Sequence, residues 1–175
     1  MVALVSRTGR HLQRYNKGRR QVVGCIPYRY RITNQGSLED GEALEVLLIS
    51  SQKGKSMLFP KGGWETDESK TEAALRERWR KLGLRALLSF KSKRNDTYCE
   101  AFMFPLLVKE ELELWPEKNV RERKWVSVAE AREVCQHWWM KEALDRFVRR
   151  LTFLQQEEDL GLGPCSLSLE PKFTL

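Results

Sequence analysis

Apolar and polar positions divide the chain into short strand-like stretches and two helical ones. Residues 21–33 (QVVGCIPYRYRIT) are dense in β-branched and aromatic side chains and predict a strand. Pro27 inside it predicts an edge position or a bulge, because proline cannot donate to a ladder. Residues 34–41 (NQGSLEDG) read as a turn or short loop. The nearly unbroken apolar run Leu44–Ser50 (LEVLLIS) predicts a buried strand, and residues 51–57 a polar loop. Over residues 68–82, Leu75, Trp79 and Leu82 recur at i, i+4 and i+7. That spacing predicts a helix, which Asp67 or Ser69 can cap. Residues 87–91, 97–108 and 124–128 predict further strands. Ser127 and Glu130 form a capping box that starts a helix near Val128. The helical pattern then runs to about Leu151, with a break near His137. Residues 155–175 mix acids, glycines and prolines without a period and predict a loose tail. No internal repeat is visible. Strands and helices in this mixture indicate an α/β or α+β class.

Composition narrows the picture. A chain of 175 residues, 41% hydrophobic and 31% charged, suits one soluble domain with a substantial core. No apolar run approaches the ~20 residues a membrane helix needs. Cys25, Cys99, Cys135 and Cys165 stand far apart with no CxxC pair. They imply neither a zinc site nor a disulfide framework, but reduced thiols of an intracellular protein. Charge is uneven. The formal net charge is +7, yet residues 1–38 hold Arg7, Arg10, Arg14, Lys17, Arg19, Arg20, Arg29 and Arg31 and no acid. Such a segment suits phosphate attraction, polyanion steering or an organellar transit peptide, against a plain solvated arm. It lacks a secretory h-region. Aromatic interleaving is sparse there, which disfavours nucleic-acid binding.

The stretch with chemistry in it begins at Phe59 (FPKGGWETDESKTEAALRERWRKLGL). Pro60 and the pair Gly62-Gly63 let the backbone turn and approach a ligand. Glu65, Asp67 and Glu68 place carboxylates at a loop and helix start, and Glu77 lies on the helix. Clustered carboxylate oxygens suit Mg²⁺ shared with substrate phosphates, and such a metal stabilises charge on a pyrophosphate and activates water.

Gly62, Glu68 and the Arg76-Glu77 pair keep the spacings five and seven of the Nudix box, G-x5-E-x7-R-E-U-x-E-E-x-G-U, and the stretch resembles that box. "GRRQVVGCIPYR", "VLLISSQKGKSMLFPKGGWE", "FMFPLLVKEELELWPE" and "WWMKEAL" extend the resemblance over about residues 1–150, to plant Nudix hydrolases close to the diphosphoinositol polyphosphate phosphohydrolases. The resemblance implies an α/β/α sandwich with a mixed sheet and Mg²⁺- or Mn²⁺-dependent hydrolysis of diphosphates. It implies a basic arm at 1–18, a Nudix domain at 19–152 and a loose tail at 153–175.

The match then departs from the pattern. If Gly83 is the late glycine of the box, the two metal-binding glutamates fall at Arg80 and Lys81, and the aliphatic position at Arg78. In the alternative register a deletion has removed the second half of the box, with the perturbation expected between residues 77 and 97. The short distance from Gly83 to Thr97 and the segment "LLSFKSK" favour this register. Neither supplies the EE pair.

The expected catalytic residues are thus Glu68, Arg76 and Glu77, with Glu77 and Glu65 the remaining weak metal ligands. A surface network of Glu72, Arg76, Glu77 and Lys81 explains the same residues without a site. Expected phosphate contacts are Arg19, Arg20, Lys53, Lys61, Lys93, Arg94, Arg123 and Lys141, with Gly62 and Gly63 in the loop; Lys55 flanks it too. Trp138 and Trp139 read as packing residues, and His11 and His137 have no catalytic partner. Three functions compete: an impaired hydrolase of diphosphoinositol polyphosphates or nucleoside-diphosphate-linked compounds, a phosphate-ligand module without turnover, and an altered-splicing product. A cytoplasmic or nuclear location is expected, with mitochondrial targeting as the reading of the basic N-terminus.

Overall fold

The computed structural model of the protein describes residues 11–31, 44–51, 56–67, 86–91, 97–109, 111 and 117–159. The helix expected over 68–82, the turn at 34–41 and the chain beyond 159 lie outside them. Strand β1 (Tyr15–Asn16) pairs with β2 (Arg19–Tyr30) through a two-residue turn, with Lys17 at φ 48° and Gly18 at φ 74°. Positive φ at both central positions suits the right-handed twist of a hairpin. Then follow β3 (Leu44–Ser50), β4 (Met57–Leu58), β5 (Lys61–Gly63), β6 (Ala86–Lys91), β7 (Tyr98–Leu107) and β8 (Arg123–Ser127). Helices α1 (Val128–Val134) and α2 (Trp138–Asp159) close the described chain.

β2 organises the sheet. It runs parallel to β7 from Arg20↔Cys99 to Tyr28↔Leu107. Its other edge carries β5 antiparallel at Val22–Gly24, then β3 antiparallel at Tyr28–Tyr30. β3 in turn pairs with β4 and β8, and β6 with β7, all antiparallel. The sheet is therefore mixed, with order β4-β3-β2-β7-β6 along its main path.

Pro27 corrects an expectation. It lies fully buried in the central strand, opposite Leu106, and marks neither an edge nor a bulge. The reason is where its missing N–H would point. The Gln21 and Cys25 amides donate to Arg14 and Pro60 carbonyls on the β1/β5 side. Backbone groups of alternate residues share an edge, so position 27 faces that same side. There β2 has left β5 at Gly24 and has not yet met β3 at Tyr28. No ladder bond is lost.

One face of the sheet holds the main core. Val22, Ile26 and Tyr28 of β2, Val46 and Leu48 of β3, Ala101 and Met103 of β7 and Val126 of β8 point into it. Against them α2 lays Trp139, Met140, Ala143, Leu144, Phe147 and Leu151, the three- and four-residue steps of an amphipathic helix. The opposite face gathers Val23, Trp64 and Phe104, with Phe102 edge-on to Trp64 at 5.9 Å. Ser127 Oγ accepts from the Glu130 amide at 3.1 Å, the expected cap of α1, and residues 135–137 interrupt the helical run as expected. α2 continues to Asp159 rather than stopping near Leu151. Residues 155–159 (QQEED) have no apolar period, but glutamine and glutamate are good helix formers and extend the last turns. No helix among the described residues is long and apolar enough to cross a membrane.

The segment before β1 is stitched to the strand entering the box. Arg14 N donates to Trp64 O at 2.8 Å and Thr66 N to Leu12 O at 2.7 Å. Gln13 forms an isolated bridge with Glu65. Residues from Leu12 onward, expected in a basic arm, thus belong in part to the sheet.

Candidate phosphate-binding site

The site is built where β5 lies against the first half of β2. Gly24 makes this approach possible. A Cβ there would stand 2.8 Å from Lys61 Cβ, from Met103 Sδ and from Pro60 O. Without it, Lys61 rests across β2 with its ammonium 6.0 Å from the Trp139 ring centroid. That ring is stacked on Phe90 at 4.5 Å and 8°. Lys61 reaches solvent and yet is ringed by protein atoms, the condition of a side chain in a concave surface. Burial, then the charges of Arg20 and Arg121, push its pKa below the ordinary lysine value.

Arg20 alternates with Val22 and Gly24 onto the same face. Its Nε donates to Gln13 Oε1 at 2.9 Å. The Gln13 amide nitrogen in turn donates to Gln21 O at 2.9 Å and Trp64 O at 3.0 Å. Gly63 leaves the room: a Cβ on it would collide with the Gln13 carboxamide and stand 3.2 Å from Arg20 Nη2. The third cation is Arg121, whose Nη1 donates to Ser50 O at 3.0 Å. Its Nε lies 3.0 Å from Glu117 Oε2, but its N–H is not aligned on that oxygen and meets no other acceptor among the described residues. Among the described residues no carboxylate pairs with Arg20 or Lys61. Two uncompensated cations beside a glycine-bearing strand are suited to phosphoryl oxygens, which Arg can grip bidentately.

The remaining expected contacts stand apart from this pair. Arg19 points to the opposite face, its Nη1 3.1 Å from Glu100 Oε1. Gln21 Nε2 donates to the other Glu100 oxygen at 2.8 Å. These bonds, Gln21's first, hold the Glu100 carboxyl below its usual pKa. Arg123 Nη1 lies 3.5 Å from Glu111 Oε1, and Trp125 Nε1 donates to Glu111 Oε2 at 2.9 Å. Lys141 is exposed on α2, where its charge opposes the burial that pushes the Cys135 thiol up to about 11. Cys135 is thus a protonated, unreactive thiol. Cys25, Cys99 and Cys135 are all buried thiols. Trp139 is buried, but Trp138 is 61% exposed and does not pack as expected. Glu68, Arg76, Glu77, Lys53, Lys93 and Arg94 lie outside the described residues.

The donors in place do not compose a divalent-metal shell among the described residues. No group of three or more His, Cys, Asp or Glu side chains comes together among the described residues. Glu65 and Asp67 are present at the end of the strand, but they do not by themselves compose a Mg²⁺ shell, which needs near-octahedral oxygen donors. Sequence reasoning named Arg20, Lys61, Gly62 and Gly63 but missed Gly24, Gln13 and Arg121. Gly24 had a legible signal, since a glycine inside a strand marks close backbone approach. Gln13 and Arg121 had none, because each is placed in part by a distant carbonyl, Trp64 O for Gln13 and Ser50 O for Arg121.

Comparison with known proteins identifies the architecture. The NUDIX domain profile matches residues 30–151. The chain is 57% identical over 177 aligned positions to Nudix hydrolase 18, mitochondrial, of Arabidopsis thaliana, covering 95% of this chain and 99% of that one. It is 33% identical over 99 positions to the human diphosphoinositol polyphosphate phosphohydrolase NUDT4B, covering 53% and 55%. A Caenorhabditis elegans Ap4A hydrolase in binary complex shares the fold at a TM-score of 0.54 and 19% identity, covering 76% of this chain and 98% of that one. The mixed sheet and its helices are those of the Nudix α/β/α sandwich.

Proposed function

The chain belongs to the Nudix family, and from that premise we propose that it acts on a small diphosphate-containing substrate with turnover well below that of a relative with an intact box. The substrate class is a diphosphoinositol polyphosphate or a nucleoside-diphosphate-linked compound. The reaction is water attack at a phosphorus of the diphosphate. The observation that carries this reading is the pair Arg20 and Lys61, uncompensated by any described carboxylate and set beside the strand that leads into the box. Arg20 and Lys61 bind and orient the phosphates. Arg123 joins them only by releasing Glu111, and Arg19, on the opposite face of β2 and paired with Glu100, is set aside as a contact. Lys53, Lys93, Arg94 and Lys141 are secondary candidates for the same anion. Glu68, Arg76 and Glu77 are the box residues left for catalysis, and Mg²⁺ or Mn²⁺ is the cofactor the family implies.

We adopt the deletion register. The aligned part of this chain is about 166 residues (0.95 × 175) against 177 aligned positions, so about 11 positions of that relative have no counterpart here. Loss of a segment of that size after residue 77 would remove the second box carboxylates. The domain expected at 19–152 is wider at both ends, since Leu12–Asn16 are bonded to the sheet and α2 runs to Asp159. A relative bearing the word mitochondrial in its name, together with eight cations and no acid in residues 1–38, supports mitochondrial targeting. A processing cut would have to fall before Leu12, since Leu12 to Asn16 are bonded into the fold.

The test is calorimetry of inositol hexakisphosphate at two ionic strengths without added metal. Binding that weakens as salt rises is expected, because the contacts are ionic and partly exposed, and Arg20→Ala and Lys61→Ala should each reduce it. A folded sample giving no heat at low salt overturns the reading.

A further inference from the structure

We infer that Gln13 is a positioning residue, which aims the Arg20 guanidinium into the anion site without supplying a counter-charge of its own. The inference rests on the proposed phosphate site. Four contacts fix the Gln13 carboxamide. Its nitrogen faces three carbonyls, Gln21 O, Trp64 O and, at 3.3 Å, Arg14 O, and its oxygen faces a donor, Arg20 Nε. The opposite amide orientation would set oxygen against oxygen and nitrogen against nitrogen.

The guanidinium is planar, so a bond to Nε sets the plane in which the terminal nitrogens present their donors. A carboxylate at position 13 could still accept from Nε, but it would lose the bonds to the Gln21 and Trp64 carbonyls and would neutralise the cation, as Glu100 does for Arg19. An amide orients without neutralising. Gly63 completes the device, since any side chain there would displace the carboxamide. The backbone on either side of Gln13 is tied to the box strand by Arg14 N→Trp64 O and Thr66 N→Leu12 O. The segment before β1 is therefore a strap whose anchoring reaches the phosphate site through one side chain.

The experiment uses the full chain, inorganic tripolyphosphate as probe, and the Gln13→Ala, Gln13→Glu and Arg20→Ala variants. Two readouts are taken: tripolyphosphate affinity by calorimetry, and solvent exchange of the Arg20 Nε–H by ¹⁵N NMR on the free protein. Gln13→Ala should weaken binding about tenfold, the effect of one hydrogen bond to a charged group, and speed Nε–H exchange. Gln13→Glu should weaken binding at least as much while the Nε–H stays protected, a split that a merely structural role would not give. Combining Gln13→Ala with Arg20→Ala should be no worse than Arg20→Ala alone. Wild-type exchange and affinity in Gln13→Ala, or full additivity with Arg20→Ala, would overturn the inference. If the wild type itself ignores tripolyphosphate, the site reading falls, while Nε–H exchange in the free protein still decides whether Gln13 holds Arg20.

Discussion

Gly24→Ala should cost stability and phosphate affinity together. The added methyl would stand 2.8 Å from three atoms, at least 0.6 Å inside the 3.4 Å at which ordinary contact begins (3.4 − 2.8). Met103 Sδ can swing aside. Pro60 O cannot, because it accepts from Cys25 N at 3.0 Å and from Cys25 Sγ at 3.4 Å. β5 must therefore move away from β2, carrying Lys61 with it. Overpacking of this kind costs about 1–3 kcal/mol, and stiffening the unfolded chain returns about 0.4–1 kcal/mol. The net loss is ~1–2 kcal/mol, a fall in Tm of roughly 2–8 °C for a chain this long. Gly63→Ala is the control. There the obstruction is the tip of the Gln13 side chain, which can rotate away, so Tm should fall less while tripolyphosphate affinity falls more. Thermal unfolding by circular dichroism, paired with calorimetry, reads both. A wild-type Tm for Gly24→Ala, or a larger loss in Gly63→Ala, refutes the reasoning.

Two further outcomes follow from charge. Burial and neighbouring cations disfavour the Lys61 ammonium, so it releases its proton below the ordinary lysine value of 10.5. Tripolyphosphate affinity should decline as pH rises through that lowered pKa, earlier than in Lys61→Arg, while the free fold gains stability over the same window because the unfolded chain then binds the extra proton. In the segment 68–82, Glu72–Arg76 and Glu77–Lys81 are spaced i, i+4 with the acid first, the better direction on a helix. With no excess of carboxylates to relieve, millimolar Mg²⁺ should leave Tm nearly unchanged relative to EDTA, whereas an intact-box relative should be stabilised. A Mg²⁺-dependent rise abolished by Glu77→Gln would show a working metal site.

Local signals in the sequence were read well, and non-local ones were not. Leu44–Ser50 was legible to the residue because an unbroken apolar run has one use in a sheet, and the Ser127 cap and the break near His137 are set within a few residues. Pro27 misled because its meaning depends on which strand lies beside it, and β2 changes partner at that point. The end of α2 misled because helix propensity outlasted the apolar stripe. At the site, Arg19 and Arg20 are adjacent and identical in sequence. One is neutralised by Glu100, 81 residues away, and the other is held by the neutral Gln13. Strand alternation sends them to opposite faces, and no local pattern says which of the two meets a carboxylate among the described residues.

The central claim is that the phosphate-binding cations are in place while the carboxylates that drive turnover are incomplete. Steady-state phosphate release from a diphosphoinositol polyphosphate and from an ADP-sugar, with Mg²⁺ present and beside an intact-box relative, tests it most directly. A rate at least ~100-fold below the relative's is predicted, since losing charge-stabilising groups commonly costs that much, with activity returning when the missing EExGV segment is restored. A rate equal to the relative's from the unaltered chain would contradict the account.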